Sequence, residues 1–496
     1  MDDFQILMIV YCILVIYIVS LSFIFFFSLS QLHLVLYYQK ALRKKKKEQV
    51  VPTLKVWPWV TVQLPVYNEL YVVERLLEAV ADFDYPTERL EVQVLDDSED
   101  QTVEIIAEKV KALQEQGFNI QHIRRKERVG FKAGALNYGL DCCKGEFIAI
   151  FDADFLPEKD FLRKTIPHFT QDNIGVVQTR WGHVNKDYSL LTSLQAFGLD
   201  AHFTIEQGGR SAARSFINFN GTAGVWRKSC ITSSGGWQYD TLTEDLDLSY
   251  RAQLCGWKFV YLEDVVAPAE LPVLMPAIKS QQFRWNKGAA ESARKNLGQV
   301  LKAHLGLSNK IHATFHLLNS SVFVFLLIAA LLSIPILFVK QHYPEVQWVI
   351  NLGGVFLLGF FSITYFYWVA SKRLVPTKTT WYFLKHFPLF LMVSMGLSLH
   401  NAIAVLEGLL GFKSPFIRTP KFNITSVKDQ WKGNIYVKPK LSILNVLEGL
   451  LGIYFLGGIV TGIYLKDLGF LLFHGMLALG FALVFYYSLK ATLRRA

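Results

Sequence analysis

The fold of this chain is decided by one stretch, Phe147-Ile148-Ala149-Ile150-Phe151-Asp152-Ala153-Asp154. Five apolar residues in a row predict a strand that is buried on both faces, as in a parallel sheet. Two acids separated by one small residue follow at its carboxyl end, which is where ligands bind in open α/β sheets. Their carboxylates suit a hard cation, Mg²⁺ or Mn²⁺, that is shared with substrate phosphates. An isolated D-x-D triplet also arises by chance. The neighbouring residues therefore decide whether this one is a metal site.

Short apolar stretches alternate with helical patterns on both sides of this strand. An apolar stripe with helical spacing runs from Val72 to Val80, and Ser98 or Asp100 can cap a helix that runs to about residue 114. This alternation predicts a Rossmann-like α/β half with a parallel sheet. The predicted strands are 60–64, 90–95, 119–123, 147–151 and 174–178.

Two further predicted strand ends carry polar residues at the same edge of the sheet. Pro65, Tyr67 and Glu69 follow the first strand, where an aromatic ring and an acid can hold a nucleobase. Asp96 and Asp97 follow the second strand. Each cluster alone is also typical of an ordinary turn or helix cap. Three acidic strand ends in one parallel sheet together favour a ligand site.

A glycine-bounded segment supplies a cation near this edge. Lys132 and Gly134 lie at the start of a predicted helix, a position suited to a diphosphate. A loop with a surface lysine is the alternative interpretation. The sequence contains no G-x-x-x-x-G-K-[ST] loop, which disfavours phosphoryl transfer of the P-loop kind.

The composition points to a membrane protein. The chain has 496 residues, 52% of them apolar, and its mean hydropathy is +0.27. Its net charge of +10 does not indicate a nucleic-acid partner, because the basic residues cluster beside apolar runs. The five cysteines lack metal-site spacing and the even count of a disulfide framework, so we expect them to be reduced and structural.

The first apolar run, residues 4–38, exceeds the roughly 20 residues that cross a bilayer. Asp2 and Asp3 precede it and five basic residues from Arg43 to Lys47 follow, which is not the pattern of a cleavable signal peptide. The positive-inside rule therefore predicts an N-terminus outside and residue 43 onward in the cytosol.

Four more spans are predicted at 315–339, 347–370, 442–465 and 467–488, whereas 381–410 is ambiguous. If 381–410 crosses, the following loop and Arg494 and Arg495 fall outside, against the charge rule. If it lies in the interface or re-enters, they are cytosolic and its polar residues are easier to accommodate. We predict five crossings and a non-crossing 381–410. The basic residues of the loop are Lys413, Arg418, Lys421, Lys428, Lys432, Lys438 and Lys440.

Five spaced motifs resemble the processive glycosyltransferases of family 2, which include cellulose, hyaluronan and chitin synthases. Their likeness is greatest to the plant cellulose-synthase-like A and C proteins, which make mannan, glucomannan or xyloglucan backbones. The motifs are Gln63-Leu64-Pro65-Val66-Tyr67-Asn68-Glu69, Asp152-Ala153-Asp154, Phe219-Asn220-Gly221-Thr222-Ala223-Gly224, Thr243-Glu244-Asp245 and Gln281-Gln282-Phe283-Arg284-Trp285.

This resemblance implies an α/β Rossmann-like (GT-A) cytosolic glycosyltransferase domain joined to an α-helical transmembrane domain. The implied divisions are an N-terminal transmembrane helix at 1–40, the GT-A domain at 57–310, two transmembrane helices at 311–370, an interfacial or re-entrant segment at 381–410, a cytosolic gating loop at 411–441 and two transmembrane helices at 442–490.

The resemblance also implies roles for single residues, with Asp154 as principal and Asp152 as supporting metal ligand. It assigns the donor nucleotide to Pro65, Tyr67, Glu69, Asp96, Asp97, Lys132, Gly134, Arg284, Phe416, Thr419 and Lys421. It assigns the acceptor sugar to Asn220, Gly221, Thr222, Glu244, Gln281 and Trp285.

Asp245 is the implied catalytic base. Thr243 is a predicted N-cap of a helix 244–254, which places Asp245 in the first turn, where the helix dipole favours the ionised carboxylate. Deprotonation of an acceptor hydroxyl there would invert an α-linked donor to a β-linked product. Glu244 and Asp247 are the neighbouring alternatives, and dipole compensation alone also explains an acidic first turn.

The sequence departs from the family pattern at two places. Asn220 and Thr222 replace the Cys and Ser of the cellulose synthase turn, which leaves the acceptor contacts open. In Phe416-Ile417-Arg418-Thr419-Pro420-Lys421, which resembles the gating loop Phe-x-Val-Thr-x-Lys, Arg418 replaces the valine.

The implied activity is inverting, processive transfer of a hexose from UDP-glucose or GDP-mannose to a β-1,4-glucan or mannan, with secretion through the chain's own channel. Transfer to a membrane lipid is the alternative. A non-catalytic membrane subunit or transporter is disfavoured by the intact set of Asp97, Asp154, Asp245 and Trp285. The expected location is the bacterial plasma membrane, or the Golgi in a eukaryote. The expected partners are the nucleotide sugar, the polysaccharide or lipid acceptor and the bilayer, and a separate export or regulatory subunit is left open.

Overall fold

The computed structural model describes residues 3–44, 54–347, 353–414, 417–426, 428–429, 434–436 and 441–493. Phe416, a predicted nucleotide contact, therefore lies outside the described residues. The same holds for several predicted flanking charges, namely Asp2, Lys45, Lys46, Lys47, Lys432, Lys438, Lys440, Arg494 and Arg495.

Seven strands of the described chain form one mixed sheet in the order β3-β2-β1-β4-β6-β5-β7. Strands β1 to β4 run parallel to one another, β6 is antiparallel to β4 and β5, and β7 is parallel to β5. The strands are β1 Val60–Val66, β2 Leu90–Asp96, β3 Ile120–Arg124, β4 Phe147–Ile150, β5 Ile174–His183, β6 Gly224–Arg227 and β7 Lys258–Ala269.

The helices of the described chain follow in sequence order. They are α1 Asp3–Lys44, α2 Val73–Ala81, α3 Thr102–Glu115, α4 Phe131–Cys142, α5 Phe161–Thr165, α6 Leu190–Ala201, α7 Gly208–Ala212, α8 Lys228–Ser233, α9 Glu244–Leu254, α10 Met275–Lys302, α11 Leu307–Leu317, α12 Val322–His342, α13 Leu357–Leu374, α14 Thr379–Gly396, α15 Ser398–Leu410, α16 Ile443–Tyr464 and α17 Leu471–Leu493. A π-helical turn, His202–Gln207, joins α6 to α7.

The core lies on both faces of the sheet. Phe147, Ala149 and Phe151 pack in one buried cluster with residues of α2 and α3, whereas Ile148 and Ile150 pack in another with residues of α4 and α9. Successive side chains of a strand point to opposite faces, so a strand with helices on both sides is apolar throughout. This explains the uninterrupted apolar run before Asp152.

Five helices of the described chain are long and apolar enough to cross a membrane, namely Phe4–Lys44, Asn319–His342, Gly353–Leu374, Ile443–Tyr464 and Leu471–Leu493. The ambiguous segment forms α14 and α15, which meet at a bend of 53°. As one unit this pair would make a sixth span, so its non-crossing course stays a prediction.

Candidate active site

A cleft of about 200 Å³ opens at the carboxyl ends of β1, β2 and β4. The sheet supplies one side, and the starts of α4, α9 and α10 together with residues 418–421 supply the other. Most of the predicted site residues line it: Pro65, Tyr67, Glu69, Asp97, Lys132, Asp152, Asp154, Asn220, Gly221, Glu244, Asp245, Gln281, Arg284, Trp285, Thr419 and Lys421.

Each acid of the D-x-D triplet contacts a lysine. Lys132 Nζ lies 2.5 Å from Asp152 Oδ1 and donates to the Gly221 carbonyl over 2.8 Å. Lys421 Nζ lies 2.5 Å from Asp154 Oδ2. Two carboxylates at a polar cleft fit a hard divalent cation that completes its shell with substrate oxygens and water. Among the described residues, no group of three or more His, Cys, Asp or Glu could hold a metal without such a substrate.

The far end of the cleft combines an aromatic ring with guanidinium groups. Arg125 makes a two-pronged ion pair with Asp97 over 3.0 and 2.5 Å. The Arg128 guanidinium carbon lies 3.3 Å from the centre of the Tyr67 ring. Arg418 pairs with Glu69 and donates to the Asn68 carbonyl over 2.6 Å, which ties the segment 417–421 to the end of β1.

Asp245 lies in the first turn of α9, whose bounds are those predicted. Burial and the neighbouring Glu244 raise the pKa of Asp245 to about 7, while Lys132 acts in the opposite direction. Burial also raises the pKa of Glu244. The alternative acid Asp247 is fully buried and bonded to Arg251, Lys295 and Asn296, so it stabilises the fold rather than lining the cleft.

A second cavity of about 400 Å³ begins where the first ends. Both cavities are lined by Asn220, Asp245, Gln281 and Trp285. The Trp181 ring, which the sequence did not single out, lies 6.4 Å from that of Trp285. From there the second cavity continues between helices of the apolar region, where its lining includes Phe323, Tyr367, Phe390 and Asn401.

Three predicted contact residues do not line the cleft. Asp96 is buried behind the cleft. Burial acts to raise the pKa of Asp96, but hydrogen bonds from His122 and Ser98 outweigh it and lower this pKa. Gly134 allows close packing, since a Cβ there would stand 2.0 Å from the Val129 carbonyl oxygen. Thr222 is buried, and its Oγ1 accepts from the Asp152 amide over 2.9 Å. All three shape the site from behind.

Arg125 and Arg128 were missed in the sequence analysis. They follow β3 in the run Arg124-Arg125-Lys126-Glu127-Arg128, at the same sheet edge as the acids. A basic run after a parallel strand was the available signal. Arg418 was noted as a basic loop residue and as a departure from the family loop, but not as a site residue.

Comparisons with known proteins identify relatives of this chain. Residues 58–288 match the family Glycosyltransferase like family 2. Glucomannan 4-beta-mannosyltransferase 1 of Oryza sativa subsp. japonica is 43% identical over 269 residues, which are 52% of this chain and 51% of that protein. Glucomannan 4-beta-mannosyltransferase 2 of Arabidopsis thaliana is 44% identical over 254 residues, 50% of this chain and 47% of that protein. The chain thus spans about half the length of the curated relatives it matches.

A solved structure shares the fold. It is the mannosyltransferase PcManGT from Pyrobaculum calidifontis in complex with GDP-Man and Mn²⁺, with a TM-score of 0.54 at 20% identity, covering 81% of this chain and 100% of that one. The resemblance inferred from the motifs is confirmed by the family match and the relatives. Residues 58–288 are a glycosyltransferase domain of family 2, with a GT-A-like mixed sheet.

Proposed function

We propose that this protein transfers a hexose from a nucleotide-diphosphate sugar to the non-reducing end of a β-linked polysaccharide, with inversion at the anomeric carbon. The observation that carries this proposal is the position of Asp245. It lies at the junction of two spaces: a cleft whose acids and lysines suit a metal-bound diphosphate donor, and a cavity bordered by Trp285. A base at that junction can reach an acceptor hydroxyl while facing the donor.

The donor's diphosphate fits beside Asp152, Asp154 and Lys132, with Arg284 on the opposite wall. A Mg²⁺ or Mn²⁺ ion held mainly by Asp154 and supported by Asp152 would stabilise the departing nucleoside diphosphate. The two lysines now on these acids can turn to the phosphates, since ammonium groups bind phosphate as point charges. The nucleoside then lies toward Tyr67 and Asp97, where ring faces and charged groups favour a base and a ribose.

Asp245 accepts the proton of the attacking hydroxyl. Its raised pKa suits this step, because a base with a pKa near the working pH is about half ionised and is basic enough to accept the proton. Trp285 offers an indole face on which the acceptor ring can stack. An in-line attack from that side inverts the anomeric configuration, so an α-linked donor gives a β-linked product.

The larger cavity supports a processive enzyme that passes its product through the membrane. Its lining continues from Asp245 to side chains of α12, α13, α14 and α15, a course suited to a chain of sugars. In the topology that we propose, α1, α12, α13, α16 and α17 cross the bilayer, the bent α14–α15 pair does not, and the N-terminus lies outside.

Incubation of the purified full-length chain in lipid nanodiscs with labelled GDP-mannose and UDP-glucose, in Mn²⁺ and in Mg²⁺, tests this proposal. GDP-mannose is the first donor to try, because the relatives are mannosyltransferases and PcManGT binds GDP-Man. We expect a polymer that β-mannanase or β-glucanase digests. A single sugar on a lipid would favour the alternative acceptor, and no transfer from either donor would contradict the proposal.

A further inference from the structure

The cavity that leads away from Asp245 has a polar wall built on the π-helical turn His202–Gln207. Such turns are rare, widen the helix locally and frequently lie at functional sites. His202 and Glu206 of this turn both line the larger cavity. The donor and base machinery proposed above uses neither residue.

A chain of hydrogen bonds connects this turn to Asn220. Glu206 Oε2 lies 2.7 Å from His202 Nδ1, and His202 Nε2 lies 3.1 Å from Asn220 Nδ2. Burial acts to raise the pKa of Glu206, but Arg210 and His202 outweigh it and lower this pKa to about 2. The Glu206 carboxylate is therefore charged. A carboxylate only accepts, and Nδ1 therefore carries the proton while Nε2 accepts from the Asn220 amide.

The carbonyl end of the Asn220 side chain is fixed as well. Gln207 Nε2 lies 2.5 Å from Asn220 Oδ1 and donates to the Asn218 carbonyl over 2.8 Å. Rotating the Asn220 amide by half a turn would place donors against Gln207 and an acceptor against His202. The network thus holds one orientation and leaves one N–H of the amide for a ligand.

We propose that His202, held by Glu206, is a positioning residue that aims the Asn220 amide at one oxygen of the terminal acceptor sugar. This inference rests on the proposed function and names its acceptor subsite. Asn220 lines both cavities, next to Gly221, so an oxygen bound there holds the sugar beside Asp245. It also fits an asparagine at the position where cellulose synthases carry cysteine, because an amide donates to His202 and accepts from Gln207, whereas a thiol is a weak donor and a weak acceptor.

Two further asparagines that line the larger cavity carry buried amide oxygens. Oδ1 of Asn218 and Oδ1 of Asn401 find no hydrogen-bond partner among the described residues, and both side chains line the larger cavity. A buried acceptor without a partner is costly, and sugar hydroxyls are suitable donors. The wall of the cavity thus combines the amide of Asn220 with the polar side chains of Asn218 and Asn401, which suits a ligand rich in hydroxyl groups.

The test compares His202→Phe with His202→Gln in the full-length chain in nanodiscs. Glutamine reproduces the neutral imidazole, with an N–H for Glu206 and an oxygen for Asn220, whereas phenylalanine keeps the ring and loses both bonds. His168→Phe is the matched control, because His168 lies in the turn Ile166–His168 and lines neither cavity. The probes are β-1,4-linked hexasaccharides of mannose and of glucose, with transfer to water measured in their absence.

For His202→Phe we expect an acceptor KM raised about tenfold, with the donor KM and transfer to water unchanged, as for one lost hydrogen bond. His202→Gln should return the acceptor KM to within about threefold of the wild type. If the acceptor KM of His202→Phe were unchanged, or if transfer to water fell by the same factor as transfer to the acceptor, this inference would be wrong. The proposed function would still stand. A wild type that transfers to neither hexasaccharide nor water would instead contradict the proposed function on which it rests.

Discussion

Lys421 Nζ lies 2.5 Å from Asp154 Oδ2, and the side chains of both residues are largely buried. The contact joins the segment between α15 and α16 to the strand end that the D-x-D triplet occupies. It places an ammonium group on the carboxylate that we propose as the principal metal ligand. A divalent cation and this lysine therefore compete for the same oxygen.

The first prediction follows from this competition. We expect Lys421→Gln to bind Mn²⁺ about tenfold more tightly than the wild type without nucleotide, because a partly buried ion pair no longer opposes the metal. Isothermal titration of the nanodisc-embedded protein measures the affinity. Lys164→Gln is the control, because its pairs with Glu158 and Asp160 are exposed and should leave Mn²⁺ affinity unchanged. Equal affinities in Lys421→Gln and the wild type would show that the lysine does not compete.

The second prediction concerns Asp245 as the base. Asp245→Asn should lower sugar transfer by about 10²- to 10⁴-fold, since the amide cannot accept the proton. Donor binding should persist, because the D-x-D triplet is untouched. Asp141→Asn, a change at an exposed acid on α4, is the control and should retain activity. Wild-type transfer by Asp245→Asn would refute the assignment of the base.

The third prediction is a pH profile. Because the ionised form of Asp245 is the active one and its pKa is about 7, transfer should rise with pH and level off above 7. At pH 6 we expect a rate about tenfold below the plateau. Glu244→Gln removes a negative neighbour that raises this pKa, so the acid limb should move to lower pH. An acid limb that stays in place in this variant would mean that another group titrates.

The sequence was most informative where one residue pattern has one physical cause. The apolar run of β4 requires burial on both faces of the sheet, and this strand was predicted closely. The end of α9 was predicted closely too, because Gly256, which has a positive φ, follows it. β6 and β7 were missed. β6 is four residues long, and β7 mixes charged and apolar side chains because most of them are only partly buried.

The sequence predicted the acidic residues of the site more fully than its basic residues. A strand end shows which residues reach the sheet edge, but not which partner each one takes. Asp96 and Asp97 are adjacent, yet Asp96 bonds His122 of the neighbouring strand β3 and Asp97 bonds Arg125. That choice depends on side-chain direction, since successive residues of a strand face opposite ways. The His202–Asn220 contact joins a π-helical turn to a loop and has no short-range signature.

The fourth prediction concerns Gly221, which has a φ of +78°. A Cβ there would lie 3.2 Å from Asp245 Oδ2 and 3.5 Å from Lys132 Nζ, in the space where the hydroxyl must approach the base. We expect Gly221→Ala to lower transfer at least about tenfold by displacing the base, since small misplacements of catalytic groups cost about that much or more.

Gly117→Ala is the matched control for Gly221→Ala. Its φ is +90°, yet nothing lies within 4 Å of the added Cβ. A left-handed alanine costs roughly 1–2 kcal/mol at either position, so both variants should lose similar thermal stability. Only Gly221→Ala should lose transfer. Parallel losses of transfer in the two variants would trace the effect to backbone strain, and the close approach of Gly221 to Asp245 would then have no catalytic importance.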